Sequence, residues 1–144
     1  MLVRLTPQQA NDFWSVIKWN IAKALPYGES DKRFGSLLTA INNGSLHVLV
    51  YTSKIEAETT IKAVITTTLN IDHITNEKNF IVYTITSSGV SDNQAEEIHT
   101  GLMNFARSLE CTRIVGYTTN DTMKSIIRRL GYKETASVFT MEVV

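Results

Sequence analysis

The sequence predicts a mixed α/β domain, and three observations carry that reading. Apolar residues recur at spacings of three and four in the first third of the chain, which is helical periodicity. The middle third is rich in β-branched and aromatic runs bounded by polar segments, which marks strands. Beyond it, a strand-like run, a helical stretch and a second strand-like run make a βαβ unit, whose strands lie most naturally parallel. With 144 residues, 43% apolar and 19% charged, the chain has the length for one core and one domain over 1–144.

Thr6-Pro7-Gln8-Gln9 opens the first helix with a capping hydroxyl, a proline suited to the first position and a glutamine that can close a capping box. Ala10, Phe13, Trp14, Ile17, Ile21 and Ala24 then form one stripe, expected to face the core until Pro26 and Gly28 end the helix. A second helix is predicted over 31–43, with Phe34, Leu37, Leu38 and Ile41 on one face and Asn43-Gly44 as its terminator. Strands follow over 46–51, 61–69 and 79–86, joined by turns at 52–60 and 72–78. A small-residue loop over 87–93 leads into a helix over 94–109, marked by Ile98, Leu102, Phe105, Ala106 and Leu109. A strand over 112–117, a helix over 121–130 capped by Asn120 or Thr119 and ended by Gly131, and a final strand over 138–143 complete the chain.

Fourteen basic and fourteen acidic residues cancel. No global field therefore draws the protein to nucleic acid or an anionic membrane, and neither is expected as a partner. Cys111 is the only cysteine, which excludes an internal disulfide and every multi-cysteine metal site; as a small apolar side chain it is expected to be buried. His47, His73 and His99 show no metal-ligand spacing, so no metal is expected. The N-terminal run Met1-Leu2-Val3-Arg4-Leu5 turns polar before it reaches the length of a signal peptide or a membrane span, implying a cytoplasmic protein or one built into a particle assembled there. Asn43-Gly44-Ser45 and Asn120-Asp121-Thr122 match the glycosylation triplet, which has meaning only in a secreted chain.

The C-terminal residues carry a family resemblance. Asn120-Asp121-Thr122-Met123-Lys124-Ser125-Ile126-Ile127-Arg128-Arg129-Leu130-Gly131-Tyr132 sets an asparagine, a short helix and a Leu-Gly-aromatic turn at a spacing that resembles GNAT N-acetyltransferases. The preceding stretch from Ala106 to Ile114 is similar to the helix end and strand start of that family, and Leu5-Thr6 is similar to its opening strand. The predicted element order resembles the family from end to end. The resemblance implies a GNAT-like, splayed central sheet of about six to seven strands flanked by four helices, with acetyl-CoA as cofactor.

In that family the loop before the long helix reads Gln or Arg, two residues, Gly, one residue, Gly or Ala, and binds the cofactor's pyrophosphate. Unsatisfied N–H groups and the positive end of the helix dipole favour an anion where glycine lets the backbone approach. The matching stretch here is Val90-Ser91-Asp92-Asn93-Gln94-Ala95, of which only Ala95 fits. Val90 replaces Gln or Arg, Asn93 replaces the central glycine, and Gly89 lies one residue early. Asp92, Glu96 and Glu97 crowd the first turn, where each stabilises a helix by roughly 0.3–1 kcal/mol and opposes a pyrophosphate by on the order of 1 kcal/mol. Bound as the resemblance implies, acetyl-CoA would meet the backbone of Ile85, Thr86 and Ser87, the helix start at Asn93, Gln94 and Ala95, and Asn120.

Family members also place an acidic tyrosine seven residues after the asparagine, where this chain has Ile127, which cannot donate a proton. Tyr117, Tyr132 or a water remain as stand-ins, and Glu56, Glu58, Asp72 and His73 as bases that no spacing ties to a substrate. His47 and His99 read as structural, and Lys124, Arg128, Arg129 and Lys133 as a solvated basic face that could meet a phosphate, a carboxylate or a neighbouring subunit. Two functions follow. The departures favour a non-catalytic binding or assembly module, a component of a viral (phage) particle or a bacterial complex, acting through a protein partner or self-association. Trp19, off the main stripe of its helix, is a candidate for the partner surface. The alternative is an active N-acetyltransferase that moves acetyl from acetyl-CoA to an amine substrate.

Overall fold

The computed structural model describes residues 1–25, 32–118 and 120–143. The chain runs β1 (Leu2–Arg4), α1 (Pro7–Asp12), α2 (Trp14–Ala24), α3 (Arg33–Asn42), β2 (Leu46–Ile55), β3 (Glu58–Ile71), β4 (Lys78–Ser87), α4 (Asp92–Ser108), β5 (Arg113–Gly116) and α5 (Asp121–Arg129). The strands form one five-stranded sheet in the order β1-β2-β3-β4-β5. Neighbours are antiparallel except β4 and β5, which are parallel across the α4 crossover, as the βαβ pattern predicts.

Strand alternation divides the core between the two faces of this sheet. Leu46, Val48, Val50 and Val64 point to one face, where Ala10 of α1, Ile17 and Ile21 of α2, and Phe34 and Ile41 of α3 cover them. Leu49, Tyr51, Ala63, Ile65 and Phe80 point to the other, against Ile98, Leu102 and Ala106 of α4. A strand covered on both sides must be apolar at consecutive positions, and this explains the unbroken run in β2. Tyr51 also donates a hydrogen bond to Glu97 Oε2 at 2.5 Å, fixing α4 across β2.

Several sequence expectations need correction. The described sheet has five strands rather than six to seven, and five helices rather than four flank it. The first helix divides at Phe13, which adopts φ −107° and ψ 21°. The kink lets Ala10 and the Ile17/Ile21 pair reach one core while Phe13 turns out to 57% exposure. Pro26, Gly28 and Asp31, assigned to the ends of the first two helices, lie outside the described residues, as does Thr119. The opening strand lies over Leu2–Arg4, ahead of Leu5-Thr6, and Thr6 serves as the cap of α1.

The polar segment at 52–60 is not a long turn. Both strands continue through it to a two-residue turn at Glu56 and Ala57, with Ile55 opposite Glu58. Their polar residues reflect a hairpin tip standing in water. The expected strand over 138–143 does not form, because β propensity supplies no hydrogen bonds until an edge is at hand. α4 starts two residues before the predicted position, since Ser91 caps it: Ser91 Oγ accepts from the Gln94 amide at 3.2 Å, and the Gln94 side chain accepts from the Ser91 amide at 3.0 Å.

Candidate functional site

The sheet opens where β4 outruns β5. Val82 pairs with Gly116, the last residue of β5, so among the described residues β4 continues from Thr84 to Ser87 paired with β3 alone. Thr66 lies opposite Thr84 while Thr67 lies opposite Val82, which makes Tyr83 an extra residue in β4. Such a bulge bends its strand and raises the local twist. Here it resets the alternation: Phe80 and Val82 face α4, whereas Thr84 and Thr86 turn to α2 and Ile85 returns to the α4 side. The Thr84 amide donates to Thr66 Oγ1 at 3.1 Å, the two hydroxyls share a 2.5 Å hydrogen bond, and Thr86 Oγ1 donates to the Asn20 carbonyl at 2.7 Å. The splay is thus held in place by buried polar contacts on its α2 side.

The residues assigned to cofactor binding gather at the carboxyl ends of the parallel strands, where open α/β sheets place ligand crevices. Ile85, Thr86 and Ser87 form the end of β4. Asn93, Gln94 and Ala95 lie in the first turn of α4, and Asn120 caps α5 beyond the end of β5. Their free groups are fewer than the sequence suggests. The Ala95 amide donates to the Ser91 carbonyl at 2.9 Å and the Gln94 amide to Ser91 Oγ, leaving the amides of Asp92 and Asn93 as the open donors among the described residues. Asn120 Oδ1 is occupied by the Met123 amide at 2.9 Å.

Tertiary structure also redistributes the charge. Asp92, at the first position of α4, accepts from Arg129 Nη2 of α5 at 3.0 Å, an ion pair that bridges the two helices beside the loop. Both side chains are exposed, so the pair itself stabilises the fold by about 0–1 kcal/mol. Glu97 points to Tyr51 and the N-terminal amine, away from the loop, and the Tyr51 hydrogen bond holds its carboxyl below the usual carboxylate value. Glu96 alone of the three remains on the open surface without such a contact among the described residues. The residues therefore fit a diphosphate poorly: two open amides favour it, while the Asp92 carboxylate occupies the same turn.

The other candidates separate. The tip of the β2–β3 hairpin, with Glu56 in its turn and Glu58 at the start of β3, extends past Ser87, on the side of the splay, whereas Asp72 and His73 lie in the β3–β4 turn at the opposite end of the sheet. Asp72 closes that turn by accepting from the Ile74 and Thr75 amides, which lower its pKa. Tyr132 bonds through its hydroxyl to His99 Nδ1 at 3.1 Å, and burial raises its pKa. Cys111 is half-buried rather than buried, with its thiol pKa raised by desolvation. His47 sets its ring edge against Phe105 at 5.6 Å. Trp19 is half exposed, and the Lys23 ammonium sits 3.2 Å above its ring. The bulge at Tyr83 is the feature that sequence reasoning missed; nothing in Phe80-Ile81-Val82-Tyr83-Thr84 distinguishes it from continuous alternation.

Among the described residues no helix is long and apolar enough to cross a membrane, and no three metal-ligating side chains converge. No family model and no curated protein matches the sequence. Solved structures do. A probable acetyltransferase superposes with a TM-score of 0.75 at 13% identity, covering 100% of this chain and 98% of the other. An aminoglycoside acetyltransferase from an uncultured soil metagenomic sample, in complex with sisomicin, gives 0.73 at 13% identity over 100% and 96%. A GNAT family acetyltransferase from Staphylococcus aureus gives 0.69 at 15% identity over 99% and 98%. At such identities the likeness shows architecture: the chain has the GNAT acetyltransferase fold.

Proposed function

We propose that this GNAT-fold chain is a non-catalytic binding or assembly module with a degenerate acetyl-CoA loop, serving inside a larger complex such as a viral particle. The observation that carries the reading is the start of α4, where Asn93 stands in place of the central glycine and the Asp92 carboxylate is ion-paired with Arg129. A diphosphate seated there would meet a carboxylate within a few Å, a repulsion on the order of 1 kcal/mol, and would have to break that pair. Ile127 at the position of the expected acid supports the same reading. Calorimetric titration with acetyl-CoA tests it. No heat of binding is expected up to about 1 mM ligand, equivalent to less than about 4 kcal/mol of affinity; saturable binding at micromolar ligand overturns it.

One observation favours the alternative, an N-acetyltransferase acting on an amine. Among the described residues no strand pairs with the β5-side edge of β4 from Thr84 to Ser87, which offers an extended ligand a strand to lie against. Thiol release from acetyl-CoA in the presence of amines, abolished by substitution at Asn93, would establish that reading in place of the first.

A further inference from the structure

Asn43 is the only asparagine of the chain that precedes a glycine. That pairing has a chemistry of its own, because glycine leaves its main-chain nitrogen unshielded and the backbone free to turn. The Gly44 nitrogen can attack Asn43 Cγ: the N–Cγ bond forms, the Cγ–Nδ2 bond breaks, and ammonia leaves with the proton that the Gly44 amide gives up through water. A second water then opens the succinimide at either carbonyl, leaving aspartate or isoaspartate at position 43. Water is the sole co-reactant.

The fold holds this pair at the joint between α3 and β2. Asn43 and Gly44 are exposed, while Ile41 and Leu46 on either side are buried in one cluster. Gly44 takes φ 82° and ends the helix in a Schellman turn, its amide donating to the Ile41 carbonyl at 3.2 Å and the Ser45 amide to the Ala40 carbonyl at 2.9 Å. Asn43 Oδ1 accepts from the Ser45 amide at 3.0 Å and from Ser45 Oγ at 2.5 Å. At Asn43 ψ is 1°, so the Gly44 nitrogen eclipses the nitrogen of Asn43 itself. The side chain branches from Cα a third of a turn away, and the attacking nitrogen points past it. Ring closure needs the 43–44 peptide to swing through that angle, which removes both Schellman bonds and pulls on the buried residues at each end of the joint.

We propose that Asn43 is a latent modification site, closed to deamidation while the α3–β2 joint is folded and reactive when the joint opens. Solvent reaches the residue at all times, so conformation rather than burial is the lock. Reaction is also one-way. Isoaspartate inserts its Cβ into the main chain, which lengthens the joint and shifts Ser45 from Ala40 and Leu46 from its cross-strand partner Thr68. Plain aspartate sets a negative charge at the negative end of α3. Time spent open is therefore written into the chain as acid. The site is separate from acetyl-CoA binding and from any partner surface.

Peptide mass spectrometry of the full chain after incubation at mildly alkaline pH tests this, through the amide-to-acid mass gain in the segment that holds residues 43 and 44. Wild type in buffer is compared with wild type in guanidinium chloride and with Asn43→Gln in the same denaturant. The folded chain is expected to react at least about tenfold more slowly than the unfolded one, as a joint open for a tenth of the time or less requires. Asn43→Gln is expected to lose the signal, since its longer side chain must close a larger and slower ring. Equal rates in buffer and denaturant overturn the proposal, because the folded joint then imposes no lock. A gain that persists undiminished in unfolded Asn43→Gln overturns it as well, since the reacting residue is then not Asn43.

Discussion

His47 shows how one side chain acquires a pH-dependent role from its setting. It sits in β2 with its ring against Phe105, and burial, followed by the nearby Arg4 guanidinium, lowers its pKa below the ordinary 6.5. Between the lowered value and 6.5 the unfolded chain binds a proton that the folded chain refuses, so stability rises with pH across that window. The contribution is complete above pH 6.5 and is lost as pH falls through the folded value. Glu97, whose pKa is lowered chiefly by the Tyr51 hydrogen bond, acts in the same direction but only below its ordinary 4.5. Denaturation midpoints of the wild type should therefore begin to fall just below pH 6.5, and His47→Gln should flatten that first decline while leaving the acid one. An unchanged profile in the variant would assign the decline to another group. At the same scale, the capping boxes at Thr6-Gln9 and Asn120's cap of α5 were legible because each needs only residues three apart. The Asp92–Arg129 pair was not, since its partners are 37 residues apart in sequence.

Among the elements, α4 lies close against β1. A Cβ built on Gly101 would lie 2.7 Å from Leu2 Cδ2 and 3.1 Å from Leu2 Cβ, so the helix approaches β1 through a residue with no side chain. Gly101→Ala gains about 1 kcal/mol of helix propensity. Overpacking against Leu2 costs about 1–3 kcal/mol, because two contacts with one residue must both yield. A net loss of roughly 1 kcal/mol is expected in urea denaturation, since the steric term is the larger; a gain would mean that Leu2 swings aside freely. Element types were legible wherever a local period exists, as in α3, β2, β4 and α4. The Phe13 kink and the Tyr83 bulge were not, because neither carries a proline or glycine and each answers to what packs on the other side.

For the molecule as a whole, the two apolar clusters share the strands β2 and β3, since Val48 and Val64 serve one face while Leu49 and Ile65 serve the other. Helices α1–α3 therefore cannot detach without uncovering the sheet on which α4 rests. Circular dichroism, which reads all helices, and tryptophan fluorescence, which reads Trp14 and Trp19 of α2, should give coincident thermal transitions. Separate midpoints would mean that the N-terminal helices and α4 unfold independently.

By itself the sequence determined the types of the helices and of strands β2 to β5, the parallel βαβ unit, the GNAT architecture they resemble and the asparagine in place of the central glycine at the start of α4. These follow from spacings within one element or between neighbours in the chain. Tertiary structure alone decided that β4 bulges at Tyr83, that β5 stops short and opens the sheet, and that Arg129 returns to Asp92. It also decided that residues 138–143, strand-like in composition, stand apart from the sheet. The physical reason is common to all four: hydrogen-bond ladders and ion pairs are satisfied by whatever residue the fold brings alongside, and local periodicity carries no record of that partner.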